Sequence, residues 1–147
     1  MPAIAIPYTT FQLPPSAAFP ERRSAKRPLL QVTLRSPQRF LSCYAIVDTG
    51  ADYCVFPRSF LQPLGLNALQ GPTEMTQGIG GSVPTHFFGI SIDIGGHFQF
   101  PVFAGFTAGL DALGLGLLGQ VGFFDRFNVT FKHSEGIYLI EGNSATR

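Results

Sequence analysis

The sequence predicts an all-β protein that closes into a small barrel-like sheet and carries one or two short helices. Two observations carry this reading. The apolar residues fall into many short runs broken by glycine and proline, of which the 147 residues hold 17 and 12, and little of the chain follows a helical period. Phenylalanine, which fits pleated surfaces, occurs 15 times. A chain of this length needs only one domain, and as such it buries roughly 68–70% of its unfolded surface.

Taken in order, residues 1–27 are rich in proline, alanine and serine, lack a period of 2 or 3.6, and are expected to form a flexible N-terminal arm. The domain is expected over residues 28–141, with residues 142–147 as a tail. Leu30, Val32 and Leu34 alternate with Gln31, Thr33 and Arg35, the pattern of a strand with one wet face. After a Ser36-Pro37 turn, residues 40–47 are almost continuously apolar, which predicts a strand buried on both faces and ending at Asp48. A short strand over 53–56 leads into Pro57, suited to the first turn of a short helix over 58–64. Residues 73–78 and 82–94 flank Gly78-Ile79-Gly80-Gly81, a tight hairpin tip, and Gly95-Gly96 turns the chain again into a strand over 97–104. A glycine-rich stretch then reaches Leu117-Leu118-Gly119, followed by a short helix over 120–127 and a closing hairpin of 129–132 against 137–140.

Several function classes are disfavoured. A formal charge of +1 gives no field for nucleic acid, and the basic run of Arg22, Arg23, Lys26 and Arg27 lies in a polar, proline-flanked segment that reads as a solvated linker. Five prolines and no early basic residue in the first 20 argue against a secretory signal, and Cys43 and Cys54 read as buried reduced thiols, so a cytoplasmic location is favoured. Residues 102–124 are long enough for a membrane span. Their six glycines weaken any helix there, and Asp111 at mid-bilayer would cost about 2.5–3.5 kcal/mol, so no span is expected. His86, His97 and His133 lack ligand spacing, no glycine run is followed by Lys-Ser or Lys-Thr, and neither metal nor cofactor is expected.

What remains is Asp48-Thr49-Gly50. The triplet could be an Asx-type turn with Gly50 supplying positive φ. Its position at the end of an apolar strand instead delivers the carboxylate toward the interior, where an unpaired charge is costly.

Three segments together resemble the retropepsin-like aspartic peptidases. Ile46-Val47-Asp48-Thr49-Gly50-Ala51-Asp52 resembles the catalytic loop, Gly78-Ile79-Gly80-Gly81 the tip of the flap that closes over substrate, and Leu117-Leu118-Gly119 the apolar pair and glycine that pack beneath the active-site loops. The resemblance implies a retropepsin fold with a flap hairpin. It also implies that Asp48 activates the lytic water, Thr49 cross-links two active-site loops, and Gly50 presents its backbone near the carboxylates. Ala51 and Asp52 would bind substrate main chain, and Ile79, Gly80 and Gly81 would form the flap tip against it. Retroviral members usually carry arginine after the third motif, where this chain has Gln120.

Amide hydrolysis by this route needs two carboxylates, one to take a proton from water and one to polarise the carbonyl and protonate the leaving nitrogen. Asp93 precedes Ile94 and Asp111 precedes Ala112, so neither repeats the triplet. A homodimer that pairs Asp48 with its symmetry mate supplies the second carboxylate. The expectation is an aspartic endopeptidase acting on peptides or proteins; the alternative is an inactive dimeric binding or scaffolding module on the same fold.

Overall fold

A computed structural model describes residues 3–146. Met1, Pro2 and Arg147, the extreme ends of the expected arm and tail, lie outside the described residues. Twelve strands follow one another: β1 (Ile4–Pro7), β2 (Thr9–Gln12), β3 (Ser24–Arg27), β4 (Leu29–Arg35), β5 (Phe40–Val47), β6 (Val55–Pro57), β7 (Thr73–Gly78), β8 (Gly81–Ile94), β9 (Phe98–Thr107), β10 (Gly116–Leu118), β11 (Phe127–Lys132) and β12 (Ile137–Gly142).

The main sheet runs β4-β5-β10-β6-β9-β8-β7, and β8 pairs a second time, with β4. That second pairing closes six strands into the expected barrel and leaves β7 as a strand hung on β8. Alternation along the strands points Leu34, Phe56, Ile92, Phe106 and Leu118 into the barrel, where they are fully buried together with Phe123. Each such side chain contributes about 1.5–3 kcal/mol. The closing hairpin pairs as its alternation predicts, Val129 opposite Ile140 and Lys132 opposite Ile137. Tyr138 of that hairpin is buried against the barrel and donates its hydroxyl to the Leu29 carbonyl.

Three expectations differ from the structure. Residues 1–27, read as a flexible arm, contain β1, which pairs with β12, and the β2–β3 ribbon. Ile4, Ile6 and Tyr8 pack on the core. The run is too short to show a period, and its partner lies more than a hundred residues away in sequence. Second, β5 is not buried on both faces: Cys43, Ala45 and Val47 point inward, while Phe40 and Tyr44 stay exposed.

Third, there is no α-helix among the described residues. Over 58–64 the chain makes a single 3-10 turn, Arg58–Phe60, followed by further turns. Pro63 has no N–H to continue a helix and disfavours helical backbone at Gln62. Over 120–127 Gly122 takes φ +103°, outside helical backbone, and only a single turn over 123–127 follows it, with the Asp125 carboxylate accepting the Gly122 N–H at 3.1 Å.

Candidate functional site

The Asp48 loop owes its shape to the insertion of β10 between β5 and β6. β10 runs parallel to β5, Leu118 opposite Val47, and antiparallel to β6, Leu117 opposite Val55. The chain leaving β5 therefore has to arch over the end of β10 to reach β6. Backbone hydrogen bonds fix the arch: Asp48 N–H to the Leu118 carbonyl at 3.0 Å, Gln120 N–H to Ala51 at 2.9 Å and Val121 N–H to Asp52 at 2.9 Å. The Gln120 side-chain amide adds a fourth bond, donating to the Thr49 carbonyl at 2.9 Å. Where the family pattern has arginine, this chain thus has a glutamine that braces its own loop.

Gly119 passes directly under the arch. A Cβ there would lie 2.4 Å from the Tyr53 carbonyl oxygen and 2.6 Å from that of Ala51, so no larger residue fits without moving backbone. Gly50 has a different reason. Its φ is not in the left-handed region, but a Cβ would press on Asp48 Oδ1 at 3.2 Å, the oxygen that accepts the Gly50 N–H at 2.8 Å. Asp48 Oδ2 has no hydrogen-bond partner among the described residues. Asp48 is half-buried and Thr49, Gly50 and Asp52 are exposed, so the loop lies at the surface of the protomer and not in its interior.

The flap is the β7–β8 hairpin. Gly78 pairs with Gly81, leaving Ile79 and Gly80 as the two-residue tip, with φ of +102° at Gly80 and +128° at Gly81. Ile79 is wholly exposed. Between flap and barrel lies a cleft of about 390 Å³ walled by Val55, Thr76, Gly78 to Gly81, Val83, Thr107 and Leu117, among others. The structure thus brings Ile79, Gly80 and Gly81 to one wall of a cleft, whereas Asp48, Thr49, Gly50, Ala51 and Asp52 are not among the residues that line it, which include the nearby Val55.

Sequence reasoning missed the anchor of the flap. The Tyr53 hydroxyl lies 2.7 Å from Thr76 Oγ1, which lies 2.6 Å from Thr85 Oγ1, and Thr107 Oγ1 donates to the Pro84 carbonyl at 3.1 Å. Threonine in a strand reads as β-branched filler, and only the β7–β8 register reveals that Thr76 and Thr85 meet. Below the arch, Cys54 is free and buried with its thiol toward the Val121 carbonyl, and Cys43 is free and buried on β5. Burial pushes the Cys54 thiol up to about 11 and that of Cys43 up to about 12. Among the described residues no three of His, Cys, Asp and Glu gather as a metal-ligand set, and no helix is long and apolar enough to cross a membrane.

A closed barrel with a glycine-tipped flap and an Asp-Thr-Gly arch locked over an apolar-apolar-Gly strand defines the retropepsin-like class. The fold matches the crystal structure of a retropepsin-like aspartic protease from Rickettsia conorii with a TM-score of 0.61, at 15% identity, over 95% of this chain and 98% of that one. The family model described as "Aspartyl protease" matches residues 41–120, more than half of the chain, from within β5 to Gln120. The chain belongs to the aspartyl protease family. No curated protein matches its sequence.

Proposed function

We propose that the protein is an aspartic endopeptidase whose active site forms between two copies of the chain, each supplying Asp48. The observation that carries this reading is the Asp48 carboxylate itself. One of its oxygens is fixed by the Gly50 N–H and the other has no partner among the described residues, at the protomer surface, on a loop that β10 and Gln120 hold in place. One chain offers one such group, and the chemistry needs two. In the dimer, one Asp48 takes a proton from the attacking water while the other, protonated, polarises the scissile carbonyl and passes its proton to the leaving nitrogen. Thr49, exposed beside it, is suited to link the two loops, and Asp52 to hold substrate main chain. Ile79, Gly80 and Gly81 descend from above, contributing backbone donors and excluding water. All these parts lie within residues 28–141, the proposed peptidase unit.

The test is cleavage of a peptide library by the purified protein and by its Asp48→Asn form, with sedimentation of both at micromolar concentration. The expected result is a dimer in each case, with cleavage by the wild type and none by the variant. Asparagine keeps the shape and removes like-charge repulsion, so the variant's stability is expected to be equal or higher. A folded Asp48→Asn dimer that cleaves at the wild-type rate, or a wild type fully active as a monomer, overturns the shared-carboxylate reading.

A further inference from the structure

A second, smaller pocket of about 230 Å³ opens beside the arch, lined by Tyr53, Pro72, Glu74, Phe87, Phe103 and Val121. We propose that this pocket is a subsite for a cationic side chain, lysine or arginine, of the substrate chain; the inference rests on the peptidase reading above and deepens it.

The walls are aromatic and mutually fixed. Tyr53 meets Phe87 edge-on at 4.9 Å and Phe87 stacks on Phe103 at 5.5 Å. The Tyr53 ring is further held by its hydroxyl on Thr76. Space for the cluster is built into the partner strands. Gly105 stands opposite Phe87, where a Cβ would meet the Phe87 ring at 3.2 Å, and Gly89 stands opposite Phe103 with nothing within 4 Å of a Cβ. Phe103 and Val121 accordingly remain 55% and 60% exposed, unusual for side chains that border a cluster.

Charge selects the occupant. Aromatic faces are electron-rich and attract cations, and Glu74 adds a full negative charge at the rim. Glu74 has no ion-pair or hydrogen-bond partner among the described residues. Elsewhere this chain places a guanidinium over exposed or half-exposed rings, Arg22 on Phe19, Arg27 on Phe11 and Arg35 on Phe40, and a fourth, Arg126, on Phe100. None of these cations sits on Tyr53, Phe87 or Phe103. The cluster therefore offers an aromatic wall and a carboxylate with no resident cation among the described residues, complementary to a long side chain with an apolar stem and a charged head.

Position ties the pocket to the substrate path. Val55 walls the cleft under the flap and Tyr53 walls this pocket. The two are two residues apart in extended chain, a spacing of about 6.6–6.8 Å, which is also the distance between same-face side chains of an extended peptide. A substrate strand with one side chain in the cleft presents the side chain two residues further along to Glu74.

The experiment takes a peptide cleaved by the wild type and places lysine, norleucine and glutamate in turn at each position. At one position lysine is expected to exceed norleucine in kcat/KM by about three- to tenfold, the range of a partly exposed cation–π contact plus ion pair, with glutamate lowest. That lysine-to-norleucine ratio is expected to fall toward one in Glu74→Gln, to fall in Phe103→Leu, and to shrink with added salt. Equal or better cleavage of norleucine at every position, or a ratio unmoved by Glu74→Gln, overturns the assignment. If the wild type cleaves no peptide, the peptidase reading has failed, and the pocket is judged by fluorescence anisotropy of labelled lysine and norleucine peptides. Lysine-dependent binding lost in Glu74→Gln upholds the pocket, and its absence overturns it.

Discussion

Glycine serves opposite ends in the two halves of the site. At the arch, Gly119 is surrounded: three backbone atoms of Tyr53 and Ala51 lie within 2.7 Å of where its Cβ would be. At the flap, Gly78, Gly80 and Gly81 have nothing within 4 Å. The first glycine permits close packing and the others permit bending. The Asp48 loop is thus packed tightly from below while the hairpin tip is uncrowded, so under the peptidase proposal, with the loop as floor and the tip as roof of the site, substitutions in the two places should separate stability from turnover.

The largest effect is expected from Gly119→Ala. The atoms its methyl meets are backbone carbonyls, which cannot rotate aside, and the arch bonds from Gln120 and Val121 flank the same point. A loss of about 3 kcal/mol or more follows from overpacking combined with broken loop hydrogen bonds. Urea denaturation checks it through the midpoint at constant m-value. A variant within about 1 kcal/mol of wild type would mean the arch can lift and is not closely packed.

The closed floor also has a pH signature. Cys54 under the arch and Cys43 on β5 have thiols raised by burial from an ordinary value near 9.0 to about 11 and about 12. Folding therefore favours the protonated thiols. Their contribution is fully present below pH 9 and is lost as pH rises from there through about 11 and 12. Denaturation midpoints are expected to fall over that alkaline window, and a Cys43→Ala, Cys54→Ala pair to flatten the decline. At pH 8 iodoacetamide should leave both thiols of the folded protein unmodified while labelling them in urea. Fast labelling of the folded protein at pH 8 would show that the floor opens readily.

Gln120→Leu is a gentler probe of the same region. It removes the side-chain bond to the Thr49 carbonyl but leaves the backbone bonds of the arch in place. A loss of about 0.5–1.5 kcal/mol is expected, the net value of one such bond, together with faster amide exchange at Gly50 and Ala51. No change in either would make the glutamine a bystander.

The contrast between floor and roof was partly legible in the sequence. The two glycine hairpins and the closing hairpin depend on local pattern and were readable from turn residues and two-residue alternation, whereas the three motifs were readable through their resemblance to the family's segments. What was not readable depends on partners distant in sequence. The β1–β12 pairing joins opposite ends of the chain, the insertion of β10 between β5 and β6 needs the folded topology, and the Tyr53–Thr76–Thr85 hydroxyl chain needs the flap's register. The helix over 58–64 was over-read because Pro57 suits a helix start while Pro63 disfavours continuation, and the one over 120–127 because Gly122 leaves helical backbone at its third residue. Gln120 stood out as a departure from the family pattern, but its bond to Thr49 became visible only in the structure.

The smallest effect on stability, with a large one on turnover, is expected from Gly80→Val at the flap tip. A β-branched residue at φ +102° is strained by about 1–3 kcal/mol if the tip keeps its shape. Nothing packs on that tip, however, so the hairpin can relax by rearranging its last two residues, and the cost to global unfolding should stay below about 0.5 kcal/mol. The relaxed tip no longer places Ile79 and Gly81 over a bound chain, and cleavage should fall on the order of ten- to hundredfold, the scale of a misplaced positioning group. Amide exchange would sharpen the distinction: it should quicken from Thr76 to Val83 and stay unchanged at Leu117 and Leu118. If Gly80→Val instead unfolds the protein, the tip bears packing that its open surroundings do not reveal. If the variant folds and cleaves at the wild-type rate, the hairpin is not the roof of the site, and the mobile half of the comparison falls.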